Sequence, residues 1–199
     1  MNDTTLRRLR DGLVVATATL SLGCAGERAF GPMPQSAHLQ QIAPSTASRS
    51  DHRSVALGEC DNLQPPAGSK LVAHYYATGV QIYRWSGAAW TFVAPEAQLS
   101  ADAGGRSKVG THYAGPTWES VSGSKVVGTV AQRCTPIATA IPWLSLTATS
   151  SEGPGIFRRV AFIQRLHTVG GLAPSAPAAT AGEEARVPYT AEYFFYRTE

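Results

Sequence analysis

The sequence predicts an all-β protein, a single antiparallel β-sandwich or barrel domain carried behind a signal sequence and a flexible linker. Three observations predict it. From Leu57 onward, short runs rich in β-branched and aromatic residues alternate in polarity, the period of a half-buried strand. Gly- and Pro-containing turn signals separate these runs at regular spacing. Outside the N-terminal leader, no window combines helix caps with an apolar stripe of helical period.

The leader comes first. "MNDTTLRRLRDGLVVATATLSLGCAGE" sets Arg7, Arg8 and Arg10 before an apolar run over Gly12–Leu22, followed by Gly23 and Cys24. A basic segment, a short apolar core and a small residue form the order of a secretory signal over residues 1–23. The run is too short for an ordinary membrane-spanning helix. Cys24 after "SLG" matches a bacterial lipoprotein signal, in which that cysteine is acylated and becomes the mature N-terminus. The match is imperfect, because Leu20 sits one position early and Asp11 interrupts the leader. Loss of residues 1–23 removes three Arg and two Asp, leaving a formal charge of about +2. Residues 24–55, rich in Pro, Ser, Ala and Gln, read as a disordered linker. Such a tether suits a domain held off a membrane surface by lipid on Cys24.

Residues 56–199 then read as one β-rich domain. "SKLVAHYYATGVQIYRW" is a strand, and Ser86-Gly87 signals the hairpin to "AAWTFVA". Glu96, after Ala94-Pro95, reads as a strand-end or turn residue. "KVGTHY" and "TWESV" are short strands flanking Ala114-Gly115-Pro116. Ser122-Gly123 turns into "SGSKVVGTVAQR". "IPWLSLTATS" alternates, "SEGPG" turns, and "IFRRVAFIQRL" reads as a further strand. The Ala-, Pro- and Gly-rich stretch 170–182 is a loop, and "RVPYTAEYFFYR" closes the chain. Its run Tyr193–Tyr196 must place aromatics on both faces of a strand. With Cys24 acylated, Cys60 and Cys134 remain. In an exported chain they stand either as a disulfide closing a long loop or as two buried free thiols.

The segments "ATGVQIYRW", "VGTHYAGPTWE", "SGSKVVGTV", "AIPWLSLTATS", "FIQRLHTVGG" and "VPYTAEYFFY" together resemble the exported family catalogued as domain of unknown function 3455. The likeness runs in order across nearly all of Leu57–Arg197. It implies export and a β-fold, and supplies no chemistry. The family pattern often carries one cysteine after "GVQIY" and another after the "GG-AP" loop. This chain has Tyr83-Arg84-Trp85 and "GLAPSAPAAT" there, which leaves Cys60 and Cys134 as its own pair.

Composition narrows function further. Hydrophobic residues are 43% and charged ones 16%, with a formal charge of +3 and no Lys/Arg-rich run, so nucleic acid is not an expected partner. Catalytic motifs such as GxSxG or a phosphate loop are absent. His112 and Glu119 are the residues with acid/base chemistry, and Glu192 is a second carboxylate set among aromatics. His74, His112 and His167 lack metal-ligand spacing, so neither a metal nor another cofactor is expected. The aromatics carry the strongest signal, and Tyr83, Trp85, Tyr113 and Trp118 are the candidate ligand-binding residues. The leading reading is an exported or envelope-anchored binding domain for a small molecule, glycan or surface component. The alternatives are a secreted hydrolase using His112 and Glu119, and a structural envelope component.

Overall fold

Alternating polarity makes strands, and the way successive strands pair decides what they enclose. In the computed structural model, which describes residues 55–199, eight strands follow one another. They are β1 (Lys70–Trp85), β2 (Trp90–Ser100), β3 (Lys108–Tyr113), β4 (Thr117–Ser120), β5 (Lys125–Cys134), β6 (Trp143–Glu152), β7 (Phe162–Gly170) and β8 (Glu184–Arg197). Each pairs antiparallel with its neighbour in sequence, and β1 also pairs with β8, closing an up-and-down barrel. Closure leaves no unpaired sheet edge. The predicted all-β class and antiparallel arrangement are thus observed, in the barrel form. Signal, lipidation and linker readings, Cys24 included, lie outside the described residues.

Two side-chain layers follow from the period of two. Ala77, Ala97, Leu99, Trp118, Val126, Leu144, Leu146, Ile163, Ala191, Tyr193 and Phe195 fill the first core, inside the barrel. A second core lies outside the wall, where Leu57, Cys60 and Leu63 cover Trp143, Phe162, Leu166, Phe194 and Tyr196. This outer strap includes a short 3₁₀ turn, Asp61–Leu63. The Cys60–Cys134 disulfide ties it to the end of β5, with Cα atoms 5.7 Å apart. Gln164 Nε2 donates to the Leu63 carbonyl at 2.7 Å, and the Tyr196 hydroxyl donates to Gln164 Oε1 at 2.7 Å. The strap explains why Tyr193–Tyr196 is apolar on both faces.

The two barrel ends differ. At one end the β6–β7 connection folds back as a plug, with Phe157 fully buried 4.7 Å from Phe195 and 6.2 Å from Tyr75, ring to ring. The Phe157 amide donates to Ser124 Oγ at 2.9 Å. This corrects the reading of "IFRRVAFIQRL" as one strand, because β7 begins only at Phe162. The apolar residues Phe157 and Val160 serve the plug, and an apolar run alone does not separate plug from strand. Glu96 also needs correction. It lies within β2, opposite Val80, and pairs with Arg186 at 2.8 Å. Pro95 sits in the strand opposite Gln81, beside the register irregularity at Ile82/Tyr83 that relaxes the ladder there.

Candidate functional site: the barrel interior

The other end of the barrel stays open. The β1–β2, β3–β4, β5–β6 and β7–β8 connections lie there, and between them a cavity of about 470 Å³ enters the barrel. That volume is in the range of small-molecule pockets, and eight strands enclose room for one such ligand. Tyr83, Leu144, Leu146 and Val130 supply an apolar wall, while Gln81, His112, Trp118, Arg165 and Tyr193 supply polar atoms. On the rim Phe92 is 55% exposed and Val93 44%.

Each polar group arrives by strand parity. His112 on β3 and Trp118 on β4 are cross-strand partners, and their rings stack at 4.6 Å. Tyr193 of β8 meets the His112 ring edge-on at 5.0 Å. The hairpin carrying them, "THYAGPTWE", turns at Gly115-Pro116 on the cavity rim, with Pro116 in cis and Gly115 at φ 135°. Only glycine adopts that backbone angle readily. Arg165 on β7 sits opposite Leu144 and Tyr193, so it points inward, and its Nε and Nη2 donate to the Pro142 carbonyl at 3.2 and 2.8 Å.

The His112 Nδ1 bonds the Thr117 carbonyl at 2.8 Å, so Nδ1 carries the proton and Nε2 is the acceptor. Burial pushes the His112 imidazole down to about 3, with the Arg165 charge adding to the shift and the Thr117 bond opposing it. His112 is therefore neutral at pH 7. Burial also pushes the Tyr83, Tyr189 and Tyr193 hydroxyls up, so these act as hydrogen-bonding groups and not as bases. The Tyr83 hydroxyl is used, donating to the Gly171 carbonyl at 2.6 Å. By contrast Gln81 Nε2, Trp118 Nε1 and the Tyr189 and Tyr193 hydroxyls are buried without a completed hydrogen bond. The two tyrosine hydroxyls neighbour each other and Gln81 neighbours Tyr189, short of bonding geometry. A buried unmade hydrogen bond costs on the order of 1–3 kcal/mol, and of these residues Gln81, Trp118 and Tyr193 line the one cavity.

The predicted site residues separate. Tyr83, His112 and Trp118 belong to the interior. Glu119 and Tyr113 face the other side of the wall, where the Tyr113 hydroxyl donates to Glu119 Oε2 at 2.6 Å and Lys125 lies 3.7 Å away. That hydrogen bond is the main reason the Tyr113 hydroxyl is raised. The structure thus does not bring His112 and Glu119 together, although they are seven residues apart on one hairpin. Trp85 packs on Trp90 at the β1–β2 connection, with ring centroids 5.5 Å apart, and neither lines the cavity; Trp90 Nε1 holds the β7–β8 loop through the Ala176 carbonyl. Glu192 lies on β8, half the barrel from Glu119 on β4, between His74 at 2.6 Å and His167 at 3.1 Å. Among the described residues, no three His, Cys, Asp or Glu side chains are placed to hold a metal ion.

Sequence reasoning passed over Gln81 and Arg165. A signal for Arg165 exists in "FIQRL": if Phe162, Gln164 and Leu166 share one covered face, Arg165 must take the other.

Comparison with known proteins gives one match. No curated protein and no solved structure matches the chain. The family model described as protein of unknown function (DUF3455) matches residues 66–197, which contain every strand of the barrel. With its fold and its barrel interior described, the chain belongs to the DUF3455 family.

Proposed function

We propose that this protein is an exported binding protein whose barrel interior takes a small molecule with a compact apolar body and at least one polar group. The observation that supports it best is the cavity itself. Aromatic and aliphatic walls surround buried donors on Gln81, Trp118 and Tyr193 that no protein group satisfies. This is the composition of a ligand pocket, mostly apolar with a few oriented polar groups. The exposed Phe92 and Val93 at the rim give an apolar entry.

Export, with lipid on Cys24 fastening the domain to an envelope membrane, completes the proposal. Its support is the leader pattern and the Cys60–Cys134 disulfide, a bond that persists in oxidising compartments. Mass spectrometry of the mature N-terminus tests it: an acylated Cys24 supports the anchor, and an unmodified start elsewhere refutes it.

The binding role is tested by a thermal-shift panel of small amphipathic compounds on the wild type and on Val130→Trp, which fills the cavity. A ligand at one hundred times its Kd stabilises by about 2.7 kcal/mol. The expected result is a shift in the wild type that Val130→Trp abolishes. A shift retained in a folded Val130→Trp protein would place binding outside the barrel and refute the proposal.

A further inference from the structure

We infer that the ligand of this barrel is an organic anion, a carboxylate on an aromatic or aliphatic body, with its head group held by Arg165. This rests on the cavity being a binding site and specifies what it takes.

Arg165 is in an unusual place. On a barrel strand with one wet face, an arginine belongs outside. Here the outer face of β7 is roofed by the strap, so Phe162, Gln164 and Leu166 are buried there and Arg165 points into the barrel. Its guanidinium is permanently charged and has five N–H donors. Its hydrogen bonds use Nε and Nη2, both on the single Pro142 carbonyl, a neutral acceptor. Among the described residues Arg165 forms no ion pair, and no Asp or Glu lines the cavity. Arg133 lines the same cavity and adds a second positive charge.

Of the remaining polar groups, His112 offers Nε2 as an acceptor, and the unpartnered ones share the donor bias. Trp118 Nε1 and Gln81 Nε2 are donors, and both are buried with no partner. The Tyr193 hydroxyl is fully buried beside Arg165 and Tyr189, near both but without a completed hydrogen bond to either. A half-buried charge without a counter-ion is costly, and that cost is recovered when an anion arrives. A donor-rich, acid-free interior repels a cation and leaves a neutral amide to forgo the charge-assisted bond. A planar carboxylate matches the guanidinium fork in both shape and charge.

The test uses isothermal titration calorimetry of the full protein with three naphthyl probes of similar size: 2-naphthoate, 2-naphthamide and 2-naphthylmethylammonium. The expected result is that the wild type binds 2-naphthoate about tenfold or more tighter than 2-naphthamide, the ratio that about 1.4 kcal/mol produces. Arg165→Gln should bring the two within about twofold, while Arg133→Gln, at the rim, should reduce the ratio less. Where Arg165→Gln does not fold, Arg165→Lys serves. It keeps the charge without the fork, and its preference should fall severalfold. Equal binding of the naphthoate and the amide, or tighter binding of the ammonium, overturns the anion assignment and leaves the pocket reading standing. A naphthoate preference undiminished in folded Arg165→Gln overturns the role of Arg165. No heat with any probe, together with no hit in the thermal-shift panel, overturns the pocket reading itself.

Discussion

Acidification should act on this barrel through one histidine. His112 sits in the interior, fully buried, facing Trp118 from β4, Tyr193 from β8 and the Arg165 charge from β7. No carboxylate lines that cavity to compensate a proton. Its folded-state value is about 3, against roughly 6.5 in an unfolded chain. Between these values the unfolded chain binds the proton and the folded chain does not. Stability from His112 is therefore fully present above about pH 6.5 and is lost as pH falls toward 3. At pH 4.5 the separation is worth roughly 2–3 kcal/mol relative to pH 7, and roughly 4 kcal/mol by pH 3. The assay is urea unfolding of the wild type and His112→Gln at pH 7, 5.5 and 4.5. His112→Gln should be less stable at pH 7, because it loses the Trp118 stack. Its stability should then fall less steeply with acid, since common surface carboxylates cancel in the comparison. Parallel pH profiles for the two proteins would refute the reasoning and would mean that His112 is solvated or paired in the native state.

Other expectations concern the frame around the cavity. Replacing both Cys60 and Cys134 by Ser opens a loop of sequence separation 74, and should cost about 4 kcal/mol in the chain-entropy description, read as a lower urea midpoint that reductant no longer changes. Gly171→Ala places a Cβ 2.9 Å from Tyr189 Cβ and 3.1 Å from Gln81 Cγ at φ 79°, so a loss of roughly 1–3 kcal/mol is expected by thermal denaturation. Tyr113→Phe removes the bond to Glu119 on the outer wall. It should leave ligand affinity within about twofold, and a larger loss would mean that the wall's outer face takes part in binding. Glu192→Gln weakens the contacts with His74 and His167 on a part-exposed surface, and should change stability by less than about 1 kcal/mol.

Much of the barrel was legible in the sequence because hydrophobic alternation and Gly/Pro turns are local signals. The strand "SKLVAHYYATGVQIYRW" and the corner at Gly115-Pro116 both appear where that alternation places them. Residues that depend on a distant partner were not legible. Arg165 faces inward because the segment 57–63 covers the opposite side of β7, a contact made across a hundred residues. Phe157 looks like strand until the barrel end it plugs is known. His74, His167 and Glu192 meet only because β1 and β7 both pair with β8. The separation of His112 from Glu119 was half visible. With Trp118 assigned to the core, alternation alone sends Glu119 to the other face.

The central claim is that the barrel interior holds a ligand, and the indole protons read it most directly. The chain has four tryptophans. Trp118 Nε1 is buried in the cavity wall without a partner, Trp90 Nε1 is bonded to Ala176 of the β7–β8 loop, and Trp143, whose Nε1 also has no partner, packs under the outer strap. In a ¹H–¹⁵N spectrum of the full protein titrated with 2-naphthoate, the Trp118 indole resonance should move with saturation while those of Trp85, Trp90 and Trp143 stay in place. Saturable movement of Trp85 and Trp90 with Trp118 unchanged would contradict the account, because it would put the ligand at the β1–β2 connection and not in the cavity.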